Sequence, residues 1–453
     1  MESPAQTAAL RIVERLRAAG YEAYFAGGCV RDLLLGTEAK DFDVATSATP
    51  DKVLALFDRT FAVGAHFGVI LVCQEIAGRE IVTEVATFRS DGVYLDGRHP
   101  VEVRFSTSVR EDVLRRDFTI NGMMLDPVLQ RETGSLTSAV LDYVGGQNDL
   151  RDGIVRAIGD PRRRFDEDKL RMLRAVRFAA RLDYVIEPET ERAIRDQAPA
   201  IAQVSRERVR DELTRMLTEG RAHRAFELLD RTGLLKKVLP EVYRMHGVEQ
   251  PPEFHPEGDV WVHTLLLLEK LPPGTSPTLA WGALLHDVGK PATFSHQPPD
   301  RIRFNGHLEV GVKMAQDILR RLRFSNEQCT QILSLVENHM RFGDVEKMKS
   351  STLKRFFRLP HFDEHLALHR MDCLSSHGDL SLYEFAKQKR EEMPEEVVRP
   401  ALLVTGRDLI AAGYQPGPQF KDMLRFAEDA QLEGRIHTRD EALALVREQF
   451  SVR

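Results

Sequence analysis

The chain has 453 residues, 42% of them hydrophobic, and its 63 Lys and Arg against 69 Asp and Glu give a formal net charge of −6. This length exceeds what one hydrophobic core usually holds, so two to four domains are expected. The sequence lacks a charged-then-apolar leader and any run of roughly 18 apolar residues, and its four cysteines are dispersed, so we expect a cytoplasmic protein rather than a secreted or membrane-inserted one.

The first 150 residues alternate between helical and strand patterns. They predict a helix over residues 5–19, a strand over 21–26, a turn at Gly27 and Gly28, a short helix over 30–35 and a strand over 41–45. Further strands are predicted over residues 69–74, 80–88 and 101–105. A mixed α and β region is therefore expected here.

The remainder of the chain is predicted to be helical. Residues 151–240 carry 21 Lys and Arg against 16 Asp and Glu, so this is the basic segment of an otherwise acidic chain. Proline-containing segments divide the chain beyond this basic region. We predict an α+β protein in four parts, namely a mixed-sheet domain over residues 1–150, a basic helical body over 151–245, a histidine-rich helical domain over 246–399 and a helical tail over 400–453.

Two aspartates, Asp41 and Asp43, lie two residues apart in a predicted strand. Such residues project from one face, so their carboxylates are expected to converge. Mg²⁺ prefers carboxylate oxygens, and paired metals catalyse phosphoryl and nucleotidyl transfer. The turn at Gly27 and Gly28 would let backbone N–H groups approach a triphosphate, and Arg31 adds positive charge. Each motif alone is common, but their order indicates a nucleotide site.

A second polar cluster lies in "EDKLRMLRAVRF", where Asp168, Arg171 and Arg174 are spaced by three and are expected near one face of a helix. Asp168 would accept from a base amino group while Arg171 donates to the adjacent ring nitrogen. Cytosine and adenine present that order, whereas uracil and guanine present the reverse. The alternative interpretation is an ordinary salt bridge on an exposed helix.

Histidines and aspartates are scattered over the predicted helices beyond residue 250. Imidazole and carboxylate donors suit Mn²⁺, Fe²⁺ or Ni²⁺, so these residues could surround one or two such ions. The candidates are His263, His286, Asp287, His307, His339 and Asp372. The tail over residues 400–453 either contacts RNA or caps the histidine-rich domain.

The motif "GGCVRDLLLG" followed by "DFDVATSATP" resembles the signature of class II tRNA nucleotidyltransferases and bacterial poly(A) polymerases. Further family motifs occur in the same order across about residues 20–215: "EVATFRSDG", "DGRHPVEVRF", "EDVLRRDFTINGM", "DYVGGQNDLRDGIVRAIGD" and "FDEDKLRMLRAVRFAARL". The histidine-rich region is similar to HD-domain phosphohydrolases. The resemblance implies a polymerase-beta-like nucleotidyltransferase head, a helical RNA-binding body and an HD domain.

The resemblance also implies roles for individual residues. Asp41 and Asp43 would hold catalytic Mg²⁺, and Glu84 is either a third carboxylate or an ordinary strand-edge glutamate. The implied nucleotide contacts are Gly28, Arg31, Arg116, Asp117, Asn121, Asp168, Arg171, Arg174 and Arg177.

The expected reaction is addition of C, C and A to the 3′ end of tRNA from CTP and ATP, with release of pyrophosphate; neither DNA nor a membrane is an expected partner. A poly(A) polymerase and an enzyme that adds only CC or only A remain alternatives within the family. The segment "SDGVYLDGRHPVEV" resembles the short flexible loop of the tRNA enzymes and favours CCA addition. In an alternative from another class, the HD domain is a metal-dependent phosphohydrolase and the N-terminal half binds RNA.

Overall fold

The computed structural model describes residues 3–64, 68–91, 103–253, 255–296 and 301–450. Most of the loop motif "SDGVYLDGRHPVEV", residues 92–102, lies outside the described residues. The chain divides into two compact units, Met1–Pro240 and Glu241–Arg453. The finer division into four parts stays a prediction.

A seven-stranded mixed sheet forms the centre of the first unit. Its strands are β1 (Ala23–Ala26), β2 (Asp43–Thr46), β3 (Thr60–Gly64), β4 (Val69–Ile76), β5 (Arg79–Thr87), β8 (Met124–Leu125) and β9 (Val140–Leu141). The spatial order is β3-β4-β5-β2-β1-β8-β9, in which β2 and β5 are parallel and the other neighbours antiparallel. Two further pairs are β6 (Arg89–Asp91) with β7 (Val103–Phe105), and β10 (Ile154–Val155) with β11 (Val185–Ile186).

The side chains of β5 alternate between buried and exposed positions, so one face of the strand packs against the core. Thr83 and Val85 are buried, whereas Val82 and Glu84 between and beside them are exposed. The predicted strand over residues 80–88 is therefore confirmed, as are the strands predicted at β1, β4 and the described part of 101–105.

Short helices surround the sheet and continue into the second half of the first unit. They are α1 (Pro4–Ala18), α2 (Gly28–Leu34), α3 (Pro50–Leu56), α4 (Val109–Leu114), α5 (Pro127–Thr133), α6 (Gly146–Asp152), α7 (Pro161–Glu167), α8 (Arg171–Leu182), α9 (Pro188–Gln197), α10 (Arg206–Thr218), α11 (Ala222–Arg231) and α12 (Leu235–Val238). The hydroxyl of Ser3 caps α1 by accepting from Gln6 N at 3.2 Å, with Pro4 at the first helical position. The helix predicted over residues 30–35 begins two residues earlier, at Gly28.

The main elements of the second unit are helices. They are α13 (Pro240–Tyr243), α14 (Val260–Glu269), α15 (Pro277–Leu285), α16 (Lys290–Thr293), α17 (His307–Arg321), α18 (Asn326–Asn338), α19 (Ser350–Phe357), α20 (Phe362–Ser375), α21 (Ser381–Glu392), α22 (Glu395–Val398), α23 (Gly406–Ala411), α24 (Gln419–Leu432) and α25 (Arg439–Gln449). Within this unit α24 is tied to α19 by the ion pair between Arg355 and Glu428 at 2.6 Å. Each helix in the described ranges is too short or too polar to cross a bilayer.

Candidate functional site

Asp43 opens β2 and stands beside Glu84 on the parallel neighbour β5, because the register pairs Val44 with Val85. The prediction that Asp41 lies in the same strand is wrong. Strand β1 ends opposite Asp43, at Ala26, and the chain then turns through Gly27 into α2, so Asp41 lies beyond the end of the pairing with β1. Asp41 lies instead in the approach to β2, close enough to Asp43 to affect its ionisation.

The carboxylate of Asp43 is in an unusual electrostatic position. Protein atoms around the carboxyl group of Asp43 displace part of its water, and the negative charges of Glu84 and Asp41 lie nearby. Together they raise the pKa of Asp43 to about 6, although the positive charge of Arg116 acts in the opposite direction. The residue itself remains exposed. Three carboxylates that repel one another at an open edge favour a cation that neutralises them, so the donor set fits a divalent ion bound by oxygens.

The glycine turn and Asp43 border a cavity of about 460 Å³. Gly27 has φ +74°, and a Cβ there would lie 3.2 Å from the Arg116 guanidinium, so a side chain at this position would be strained and crowded. The cavity is also lined by the expected nucleotide contacts, namely Gly28, Arg31, Arg116, Asp117, Asn121, Asp168, Arg171, Arg174 and Arg177. The fold therefore brings every one of these expected contacts to one place.

Arginines around this cavity are held by carboxylates and amides. Arg31 is buried and donates to Asn121 Oδ1 at 2.7 Å, and Arg174 pairs with Asp117 at 2.7 Å. Burial would raise the pKa of Asp117, but Arg174 and Arg171 lower it to about 2. Asp117 is therefore ionised and fixes Arg174 at neutral pH.

The prediction that Asp168 shares a helix with Arg171 is wrong. Helix α7 ends at Glu167, and Asp168 is extended, with φ −146° and ψ 106°. Its carboxylate accepts from Leu170 N at 3.1 Å, a local hydrogen bond that competes with a continuous helix, and from Arg208 at 2.7 Å. Arg171, at the start of α8, pairs with Glu167 at 2.8 Å. Asp168 and Arg171 nevertheless border the same cavity.

Three functional neighbours were missed by sequence reasoning. Phe178 lies among the guanidinium groups of Arg31, Arg174 and Arg177, whose carbon atoms are 5.3, 5.2 and 4.3 Å from its ring centroid. Phe178 follows Arg174 by four residues on α8, and side chains at this spacing are neighbours on a helix, so the sequence could have indicated this contact. No sequence motif singles out Arg208 and Glu212 of α10, yet Arg208 pairs with Asp168 and Glu212 pairs with Arg177.

The second unit gathers the predicted histidines and aspartates into one buried cluster. His263 Nε2 lies 3.1 Å from Asp372 Oδ1 and 3.3 Å from His286 Nε2. Burial would lower the pKa of His263, but its hydrogen bonds with Asp372 and Glu257 raise it to about 9. The metal-free site therefore holds a proton that a bound cation would displace.

A neighbouring group consists of Asp287, His307 and His339, whose ligand atoms lie within 4.8 Å of one another. Among the described residues, Asp287 Oδ1, His307 Nε2 and His339 Nε2 are buried without a partner within hydrogen-bond distance, and His339 Nε2 lies 3.6 Å from Asp287 Oδ1. Such atoms are expensive to bury, and a cation would satisfy all three. The combination of imidazole and carboxylate donors fits a transition-metal ion.

A cavity of about 530 Å³ opens beside this cluster. Lys290 borders it and contacts Asp287 Oδ2 at 2.6 Å, which leaves the other oxygen of Asp287 for a ligand. Lys290 follows the His286-Asp287 pair by three residues, a spacing that could have indicated it. Sequence reasoning also missed His255 and Glu257, because they lie in the loop before α14 rather than on a patterned helix.

Comparisons with known proteins match three family models. The Poly A polymerase head domain matches residues 23–156, the "Probable RNA and SrmB- binding site of polymerase A" matches 183–245, and the HD domain matches 259–403. These matches agree with the family resemblance that the sequence motifs indicate.

Relatives and solved structures agree with the family models. A CCA-adding enzyme of Levilactobacillus brevis is 32% identical over 95% of this chain and 95% of its own. One of Geobacillus stearothermophilus is 44% identical, but the match covers 52% of this chain and 54% of the relative, so the chain spans only about half of that relative's length. The crystal structure of a Bacillus stearothermophilus CCA-adding enzyme in complex with CTP is similar over 99% of this chain and 98% of the other, with 28% identity and a TM-score of 0.72.

Proposed function

The chain belongs to the family of CCA-adding enzymes, and we propose that it extends the 3′ end of tRNA with C, C and A from CTP and ATP. The observation that carries this proposal is the single cavity bordered by the glycine turn, Asp43, the arginines of α8 and Asp168. The glycine turn, the arginines and Asp43 suit a triphosphate and a divalent ion, and Asp168 and Arg171 on the same cavity offer an acceptor and a donor to a base.

In the proposed reaction the 3′ hydroxyl of the RNA attacks the α-phosphate and pyrophosphate leaves. Asp41 and Asp43 would hold Mg²⁺, with Glu84 as a third carboxylate. When bound, the ion would supply charge neutralisation at the attacking and leaving oxygens. Arg116 and Arg174 orient the phosphates as rigid donors, because Asp112 and Asp117 already fix their guanidinium groups.

Base selection would rest on Asp168 and Arg171. Asp168 keeps accepting capacity beside its two present hydrogen bonds, since each carboxylate oxygen has two lone pairs. Arg171, in the first turn of α8, already donates to Glu167 Oε2 at 2.8 Å, to Arg164 O at 3.0 Å and to Arg115 O at 3.2 Å, and its remaining N–H groups would serve the base. A base with an amino donor next to a ring acceptor satisfies this pair, whereas uracil and guanine place like groups opposite each other.

The proposal is tested by incubating the protein with each labelled nucleoside triphosphate and with tRNAs that lack one, two or three 3′ nucleotides. CCA addition predicts CMP incorporation into the two shorter tRNAs, AMP incorporation into the tRNA ending in CC, and no further growth. Unlimited AMP incorporation would instead identify a poly(A) polymerase, and incorporation of one base alone would identify a partial enzyme. Asp41→Ala should remove all incorporation.

A second candidate activity belongs to the HD domain. The three unpartnered buried atoms of Asp287, His307 and His339 favour a metal centre there, which would hold Mn²⁺, Ni²⁺ or Fe²⁺ together with His263, His286 and Asp372. Release of phosphate from a nucleotide or RNA end that persists after Asp41→Ala and Asp43→Ala, and disappears after His286→Ala, would support a phosphohydrolase at this centre. A cytoplasmic location for the whole protein stays a prediction.

A further inference from the structure

The four imidazoles of the HD cluster are held in a common orientation. Each has Nδ1 in a hydrogen bond and Nε2 directed into the cluster. Three of them are fixed by the backbone carbonyl three residues earlier: His286 by Ala283 at 2.8 Å, His307 by Phe304 at 2.9 Å and His339 by Val336 at 2.8 Å. Backbone carbonyls within helices α15 and α18, and in the turn just before α17, therefore set the orientation of these three rings.

His263 is the exception. It lies in the first turn of α14, and its Nδ1 is 2.7 Å from Glu257 Oε1 in the preceding loop. The His263 side chain is fully buried, and only 6% of the Glu257 side chain is exposed. A carboxylate that accepts from Nδ1–H fixes the tautomer whose lone pair is on Nε2, and it increases the basicity of the ring.

Glu257 also holds a second imidazole ring, that of His255. Its Oε1 lies 2.9 Å from His255 Nδ1, and His255 borders the cavity beside the cluster. One carboxylate oxygen therefore links two imidazoles, while Oε2 is buried without a hydrogen-bond partner among the described residues. A surface ion pair would be exposed and loosely held, whereas this arrangement is enclosed and directed at His263.

We propose that Glu257 is a positioning residue of the HD metal centre, which orients His263 so that Nε2 faces the bound ion. The inference rests on the metal centre proposed above. Glu257 is not one of the expected metal ligands. The inference predicts that its charge and its hydrogen bond to His263 strengthen metal binding although Glu257 does not touch the metal. Carboxylates in this position commonly change metal affinity about 10–100-fold.

The test is titration of the full-length, metal-free chain with Ni²⁺, measured by calorimetry. Ni²⁺ suits imidazole ligands, and His286→Ala identifies the binding event that belongs to this cluster. We expect Glu257→Gln, which keeps an oxygen acceptor and removes the charge, to weaken this binding about 10-fold, and Glu257→Ala to weaken it up to about 100-fold. Glu257→Asp should recover part of the affinity. The exposed Glu253 of the same loop provides the matched control, and Glu253→Gln should leave the affinity unchanged.

Two checks separate positioning from general damage. Incorporation of CMP and AMP by the first unit should be the same in Glu257→Gln and the unaltered protein, and the metal-free Glu257→Gln chain should still unfold cooperatively. If Glu257→Gln binds Ni²⁺ with an affinity within twofold of that of the unaltered protein, the proposed role of Glu257 is refuted and the metal centre is not. If the unaltered chain shows no Ni²⁺ binding that His286→Ala removes, the metal centre itself is refuted and the role of Glu257 falls with it.

Discussion

The raised pKa of Asp43 predicts that replacing this residue stabilises the metal-free protein while it destroys activity. Crowding and the charges of Glu84 and Asp41 raise the pKa of Asp43 from 3.8 to about 6 in the folded chain. A carboxyl with a raised pKa favours the folded state at low pH, and this contribution is lost as the pH rises through about 6. At pH 8 the ionised Asp43 therefore destabilises the fold.

The size of the effect depends on the shift and on solvent screening. About two pKa units correspond to about 3 kcal/mol, which we reduce to about 1 kcal/mol because Asp43 is exposed and solvent screens its charge. Asp43→Asn has no carboxylate to ionise, so it should be more stable than the unaltered chain by about 1 kcal/mol at pH 8, or about 2–4 °C in unfolding temperature. The difference should shrink as the pH is lowered from 8 to 5.

The assay is thermal unfolding of the metal-free chain in the presence of a chelator. The transition to follow is first identified in chelator-free buffer as the one that CTP together with Mg²⁺ shifts upward, because that transition belongs to the unit that carries the cavity. Asp58→Asn changes an exposed carboxylate of the same unit and should leave the transition unmoved. Mg²⁺ should raise the transition of the unaltered chain and not that of Asp43→Asn. Equal or lower stability of Asp43→Asn at pH 8 would refute the argument from repulsion among the three carboxylates.

Three further predictions concern both units. Asp168→Ala should reduce discrimination of CTP and ATP against UTP by about 10–100-fold, the effect of one lost hydrogen bond of about 1–3 kcal/mol, and unaltered selectivity in competition assays would refute its role. His286→Ala should lower the transition-metal content of the purified protein, measured by mass spectrometry, and leave CMP and AMP incorporation intact. Arg177→Met should destabilise the first unit by about 3 kcal/mol in urea unfolding, because it removes the partner that lies 2.7 Å from the buried Glu212 and leaves this carboxylate with the more distant Arg174 and Arg215, both at 3.9 Å. The double change Arg177→Met with Glu212→Leu should recover much of that loss, and no recovery would contradict the pairing.

The sequence predicted four of the seven strands of the sheet, β1, β2, β4 and β5, because their patterns are local, whereas β3 and the two-residue strands β8 and β9 were not predicted. Strand β5 alternates buried Thr83 and Val85 with exposed neighbours, and an alternation of this kind can be recognised in the sequence without knowledge of its partner strands. The sheet order could not be obtained in this way. That β2 lies between β5 and β1 depends on pairing between segments about 40 residues apart, and that pairing brings Glu84 beside Asp43.

The errors at Asp41 and Asp168 have a common physical cause. In both cases a regular element was extended past its end, since β2 begins two residues after Asp41 and α8 begins three residues after Asp168. Asp41 precedes the residue at which β1 can pair, and Asp168 uses its carboxylate to bond Leu170 N instead of continuing α7. Glu257 was missed for the opposite reason, since it belongs to no periodic element and its role depends on the position of His263.

The ion pairs around the nucleotide cavity bear on how it can select a triphosphate. Arg174 and Arg177 already have carboxylate partners, Asp117 and Glu212, so these arginines bring little net positive charge to the cavity. Their value lies in orientation, because a guanidinium fixed by a carboxylate on one edge presents its remaining donors without further ordering when phosphate arrives. A triphosphate therefore needs another source of positive charge, and the repelling carboxylates beside the cavity provide the place where a divalent ion would bind. Nucleotide and divalent ion should consequently bind cooperatively, each strengthening the other, since the arginines alone do not neutralise the phosphates.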